Sequence, residues 1–266
     1  MNSICYLCNK IINLHDKKSD DHVVPKLLID RAQPKVKGFD YGDKIETHET
    51  CNNHFGPETY CRKALKIISK LSDSECASIL IHKENQSIRI LVLNSECFDE
   101  FTNEELSYFG IRDVRENTLS EIKNPEFIEN GTKTDIKQKI LFNSFAVLVK
   151  SAAALLIKRI FKKIPSQWKV IAVPYHGETL ELNFNEILGE TKPFDKNVKI
   201  YLKDLNGGMY LILYIAYDAI LYLFFQLVEN EEHIREIVSK FPEADCYLFT
   251  GSCINDLIGY NWLILK

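Results

Sequence analysis

The sequence has no excess of positive charge: 33 Lys and Arg stand against 37 Asp and Glu, for a net charge of −4. A protein that holds nucleic acid through a generally basic surface carries more, so any contact with a polyanion must be local. No apolar segment follows Met1, where the chain reads NSICYLCNK. This start lacks the pattern of a secretory signal, and a cytoplasmic setting is expected. In such a setting the eight cysteines are thiols or metal ligands rather than disulfides. No repeat or low-complexity tract is present. Long apolar runs are scarce in the first 70 residues. A piece of that kind lacks a sufficient core of its own and needs a staple.

One later run, MYLILYIAYDAILYLFFQLV (209–228), is long enough to span a bilayer. Asp218 stands near its middle, at a cost of roughly 2.5–3.5 kcal/mol on insertion scales. Two buried strands with a turn near Tyr217–Asp218 account for it better, and no membrane partner is expected.

The expected fold class is α+β, in two parts: a small stapled module over residues 1–72 and a larger mixed α+β domain over 73–266. Residues 1–70 hold 12 basic against 9 acidic side chains, and the remainder is acidic; the sign suits a phosphate-facing N-terminal module. In the larger part a hairpin is expected over 75–95 and a polar linker over about 114–135. A helix apolar on more than one face should cover 136–163, with mostly strands after 168. Those strands are WKVIAV, TLELNF, VKIYLK, MYLILYI, AILYLFFQLV, CYLFTG and YNWLILK. ENEEHIREIVSKF reads as a helix with acids early and a lysine late. His176 and His233 have no supporting constellation and read as structural.

The informative spacing is Cys5-x-x-Cys8 and, forty residues on, His48-x-x-Cys51. A two-residue gap lets both donors of a pair reach one ion from a tight turn. Two pairs complete a tetrahedral S, S, N, S site suited to structural Zn²⁺. Cys61 is an alternative fourth ligand.

The order Cys-x-x-Cys, then DHVVPK, then HETCNNHFG (Cys51-Asn52-Asn53-His54-Phe55-Gly56) resembles the HNH endonucleases. It is nearest to the zinc-stapled subgroup with a Cys-Asn-x-x-Phe-Gly element, over residues about 3–70. The resemblance implies a ββα-metal motif. DHVVP would be the first arm and residues 43–48 the second, with a helix from near Asn53 through Leu71. It implies metal-dependent hydrolysis of nucleic-acid phosphodiesters, with DNA favoured. His22 would be the general base. Asp21 and Asn52 would hold a catalytic divalent ion, Mg²⁺ or another, with His54 as a competing ligand. Asp43 stands where the family usually has an Asn that orients the base. Lys26, Lys35, Lys37, Arg62 and Lys63 are candidate phosphate contacts.

The family's settings include bacterial antiviral defence and restriction. Residues 73–266 would then meet a small-molecule activator or a protein partner, or support a homo-oligomer. The departures at Asp43 and Asn52 keep open a second expectation: a non-catalytic, zinc-stabilised module that binds nucleic acid or protein.

Overall fold

The computed structural model describes residues 3–23, 35–36, 39–40, 43–56, 60–61, 64–65, 68, 78–84, 87–93, 128–129, 132–133, 136–161, 163–175, 198–216, 219–227, 230–259 and 262–265. The chain is a mixed α and β protein. Its first part contains β1 (Ile4–Cys5), β2 (Lys10–Ile11), β3 (Lys18–His22), β4 (Lys35–Val36), β5 (Phe39–Asp40), β6 (Lys44–His48) and helix α1 (Glu49–His54). There follow β7 (Ser78–Glu84), β8 (Ser87–Leu93), β9 (Ile128–Glu129), β10 (Thr132–Lys133) and the long helix α2 (Ile136–Arg159). The remainder is β11 (Trp168–Tyr175), β12 (Val198–Asp204), β13 (Met209–Ala216), β14 (Ala219–Gln226), helix α3 (Glu231–Lys240), β15 (Cys246–Gly251), a 3-10 helix (Ile254–Gly259) and β16 (Trp262–Leu265).

The largest sheet has six antiparallel strands in the order β12-β13-β14-β11-β15-β16. Its strands are apolar on both faces because a helix covers each. On one face Val170, Ala172, Ile212, Tyr214, Leu223, Phe225 and Phe249 share a core with α2. On the other Ile171, Val173, Leu211, Tyr222 and Phe224 pack with Ile237 of α3 and Phe241 after it. The run 209–228 is therefore two paired strands, with Ala216 opposite Ala219; the expected turn residues 217–218 lie outside the described residues. Helix α3 starts at Asn230, whose side chain accepts from the Glu232 amide, an ordinary N-cap.

Helix α2 is buried on all sides from Leu141 to Leu156. One side meets the sheet, where Tyr214 donates to the Leu148 carbonyl at 3.3 Å. The other meets the N-terminal part, since Tyr6, Leu7, Phe55, Tyr60, Ala64, Leu65 and Ile68 belong to the same continuous core. This explains the helix's lack of a single apolar face. Leu141–Arg159 is long and apolar enough to cross a membrane, yet 89% of its apolar window is buried inside the fold. The helix ends four residues before the expected 163. Ile160 and Phe161 both return their amides to the Leu156 carbonyl, and Pro165 follows.

The expected hairpin is present as β7 paired with β8. Residues 114–127 of the expected linker, the strand TLELNF and His176 lie outside the described residues. So do Lys26, Lys37, Arg62 and Lys63, and the side chain of Lys35.

Candidate functional site

The Cys5-x-x-Cys8 pair sits on a tight knuckle between β1 and β2. Asn9 takes a left-handed φ of 58° there and returns its amide to the Cys5 carbonyl at 2.8 Å. His48 ends β6 and is also the N-cap of α1, whose first turn carries Cys51. Residues three apart on a helix start lie side by side, so the second pair is preset by the helix. The ligand atoms of Cys5, Cys8, His48 and Cys51 all lie within 4.8 Å of one another. His48 Nδ1 is 3.3 Å from Cys8 Sγ and 3.9 Å from Cys51 Sγ. Donors on one tetrahedral zinc stand about 3.5–3.8 Å apart, so this Cys₃His set fits that ion. The other ring nitrogen, Nε2, faces Asp16 Oδ2 at 3.4 Å, the carboxylate–histidine relay that fixes a ligating imidazole. The Asn13 backbone amide, and then the Asn13 side chain and His48, hold the Asp16 carboxyl below its ordinary range. Burial pushes the Cys5 thiol up and Cys8 up to about 12, and a cation bound among these sulfurs would favour their thiolates. Cys61 is elsewhere, buried with its Sγ against the Val147 carbonyl at 3.8 Å.

β3 and β6 pair antiparallel, Asp21 opposite Ile45 and His22 opposite Lys44. The first arm is thus KSDDH, ending at His22, rather than DHVVP. Side chains alternate along a strand. Ser19 and Asp21 share one face with Thr47 and Ile45, turned toward α1 and α2. Asp20 and His22 share the other with Lys44, whose Nζ is 3.2 Å from Asp20 Oδ2.

On the inner face a second constellation forms. Asp21, 4% exposed, accepts from the Tyr6 hydroxyl on Oδ2 and meets Lys150 Nζ with Oδ1 at 3.0 Å. The same ammonium donates to Asn52 Oδ1 at 2.6 Å and lies 5.6 Å from the centre of the Phe55 ring. Asn52 is oriented by donating from Nδ2 to Ser19 Oγ at 2.9 Å. Burial, and then the Asp21 carboxylate beside it, push the Tyr6 phenol well above its ordinary value, so it stays a donor.

The structure brings Asp21 and Asn52 to one point, around Lys150 Nζ. Both offer hard oxygen donors, the kind Mg²⁺ takes; the cation between them is the Lys150 ammonium. Asn52 lies inside α1 rather than at its start: the helix begins at Glu49 and ends before Gly56, whose φ is 70°. Helical turns resume at 60–61, 64–65 and 68. His54 is exposed, its ring edge-on to Phe55 at 5.9 Å. Asp43 accepts the Val23 amide on its carbonyl at 3.0 Å, and its carboxylate stands 3.8 Å from Lys158 Nζ on α2. His22 is the last residue of β3, partly buried, with Nδ1 sealed from solvent.

Sequence reasoning missed Lys150, Tyr6 and Asp16. A usable signal existed for Lys150: a charge in the middle of an otherwise apolar helix has to meet a partner. Comparison with known protein families, with curated proteins and with solved structures returns no match.

Proposed function

We propose that the chain is a zinc-stapled endonuclease of the HNH kind that hydrolyses nucleic-acid phosphodiesters, DNA in the first instance. What supports the reading is the convergence of the Asp21 and Asn52 oxygens on one point, where they meet the Lys150 ammonium, next to a separate Cys₃His cluster. A strand pair and a helix supply both. In this reading His22 accepts the proton of an attacking water as the phosphorus–O3′ bond breaks. Asp21 and Asn52 would hold a divalent ion, which would supply Lewis-acid stabilisation of the developing negative charge. The chain's own residues orient this site: Ser19 aims the Asn52 amide and Tyr6 fixes the Asp21 carboxylate. Residues 73–266 then serve as the regulatory part, open to a small-molecule activator, a protein partner or a second copy, in a defence or restriction setting.

Two observations favour the second reading, a non-catalytic zinc-stabilised module that binds nucleic acid or protein. The pleat sets His22 and Asp21 on opposite faces of β3, and Lys150 already neutralises Asp21. Supercoiled plasmid incubated with the chain and Mg²⁺ or Mn²⁺, with an EDTA control, separates the two. Nicking is expected from Lys150→Met, in which Lys150 no longer neutralises Asp21, and His22→Ala is compared in that background. It should fall about 10²–10⁴-fold in His22→Ala with zinc content and circular dichroism unchanged. Wild-type-like nicking by His22→Ala refutes the assignment, and DNA retarded but never cut establishes the second reading.

A further inference from the structure

Lys150 sits in the stretch of α2 where every residue from 141 to 156 is buried, and is itself 8% exposed. An ammonium taken out of water is costly unless it is fully paired. Here each of its needs is met by the N-terminal part: the Asp21 carboxylate at 3.0 Å, the Asn52 carbonyl oxygen at 2.6 Å and the Phe55 ring face. An ammonium has three donors and no acceptor, and three partners surround it. The same helix, two turns on, sends Lys158 to Asp43. One element therefore supplies the counter-charge for both acids that the nuclease reading assigns to the site.

We infer that Lys150 is an internal cation lock. It occupies the position that Asp21 and Asn52 would otherwise give to a divalent ion. The two cations exclude each other, since both need the same two oxygens and repel at this separation. A divalent ion enters only when Lys150 leaves, so α2 controls metal occupancy. α2 is packed between the N-terminal part and the six-stranded sheet, so a shift of that sheet face against it is the mechanical input. The inference rests on the reading of Asp21 and Asn52 as cation ligands. It does not need His22 to be a base.

The test is binding, read apart from cleavage. Zinc-loaded full-length chain, unmodified and Lys150→Met, is titrated with Mn²⁺, and the free ion is followed by electron paramagnetic resonance. Lys150→Met should bind one additional Mn²⁺ at least a hundredfold more tightly than the unmodified chain, and its melting temperature should rise with Mn²⁺. The extra site should vanish in Asp21→Asn/Lys150→Met. Equal Mn²⁺ binding with and without Lys150, or an extra site that survives loss of Asp21, overturns the lock. If Lys150→Met is unfolded without Mn²⁺, refolding on addition of Mn²⁺ supports the lock; failure to refold refutes it, because the ion should replace the missing charge. Tight Mn²⁺ binding with no plasmid cleavage leaves the lock standing and removes the nuclease. Cleavage with equal Mn²⁺ binding does the reverse.

Discussion

A double-mutant cycle on Asp21 and Lys150, with zinc bound and no other divalent ion, measures the contact on which the site depends. Lys150→Met keeps the length and apolar stem of the side chain and removes the ammonium. Asp21, 4% exposed, is then a buried carboxylate with the Tyr6 hydroxyl as its remaining hydrogen bond. Removing one partner of a buried pair costs about 3–5 kcal/mol. For a chain of 266 residues the unfolding entropy of about 2.1 cal/mol/K per residue converts this to a fall of about 5–9 °C in Tm. Asp21→Asn should cost less, about 1.5–3 kcal/mol, the worth of a hydrogen bond to a charged group. The ammonium keeps Asn52 and the Phe55 ring, and the new amide oxygen still accepts. In the double variant no charge remains buried, and Tyr6 can hydrogen-bond the Asn that replaces Asp21. The two single costs should therefore exceed the double cost by about 2–3 kcal/mol. Urea unfolding followed by Trp fluorescence reports all four stabilities. Additivity within about 0.5 kcal/mol would refute a direct Asp21–Lys150 pair and, with it, the arrangement of the whole inner face.

Two further outcomes concern the zinc frame and its attachment. Asp16→Ala removes the acceptor that faces His48 Nε2 and should weaken zinc affinity about 10–100-fold in competition with a chromophoric chelator; unchanged affinity would remove Asp16 from the frame. Partial burial pushes the Asp256 carboxyl up. The hydrogen bonds from the Ser252 and Cys253 side chains and backbone amides outweigh that and leave it below the ordinary aspartate value. A carboxyl lowered in the folded state contributes stability that is complete above its unfolded pKa and is lost as pH falls through the folded one. Tm followed from about pH 5 to pH 2 should fall less steeply in Asp256→Asn than in the unmodified chain, and parallel curves would contradict the assignment.

Spacing made the Cys₃His cluster legible, because two donors with two residues between them can reach one ion from a knuckle or a helix start, and the pairs Cys5–Cys8 and His48–Cys51 are one of each. The sheet was legible from its β-rich runs, and the run 209–228 was legible as two strands because Asp218 near its middle makes a single apolar span costly. The start of α1 was misplaced for a physical reason. The His48–Cys51 pair needs helical geometry between its own members, so the helix has to begin before Asn52, and Gly56 then ends it. Lys150 was not legible in its role. Its partners Asp21 and Asn52 are far off in sequence, and only the docking of α2 against the N-terminal part brings them within 3.0 Å. A charge in a buried helix announces that a partner exists but does not say which one.

The Cys₃His cluster and the Lys150 site are linked through α1 and through Tyr6. Cys51 and Asn52 are adjacent on a six-residue helix, too short to be stable alone in water. Its start is fixed by His48 and Cys51, and its one amide oxygen aimed at Lys150 is fixed by Ser19 on β3. Tyr6, the hydroxyl that holds Asp21, lies between the other two zinc ligands and is fully buried. Asn52 is therefore next to Cys51, and Asp21 is held by Tyr6, which is next to Cys5. The opposite end of the knuckle is tied to the C-terminal part, where the Asn255 amide donates to the Leu7 carbonyl at 2.8 Å and Asn9 Nδ2 to the Ser252 carbonyl at 2.6 Å. The 3-10 helix at Ile254–Gly259 and α2 thus hold the N-terminal part at two separate places, the knuckle and the Asp21–Asn52 oxygens.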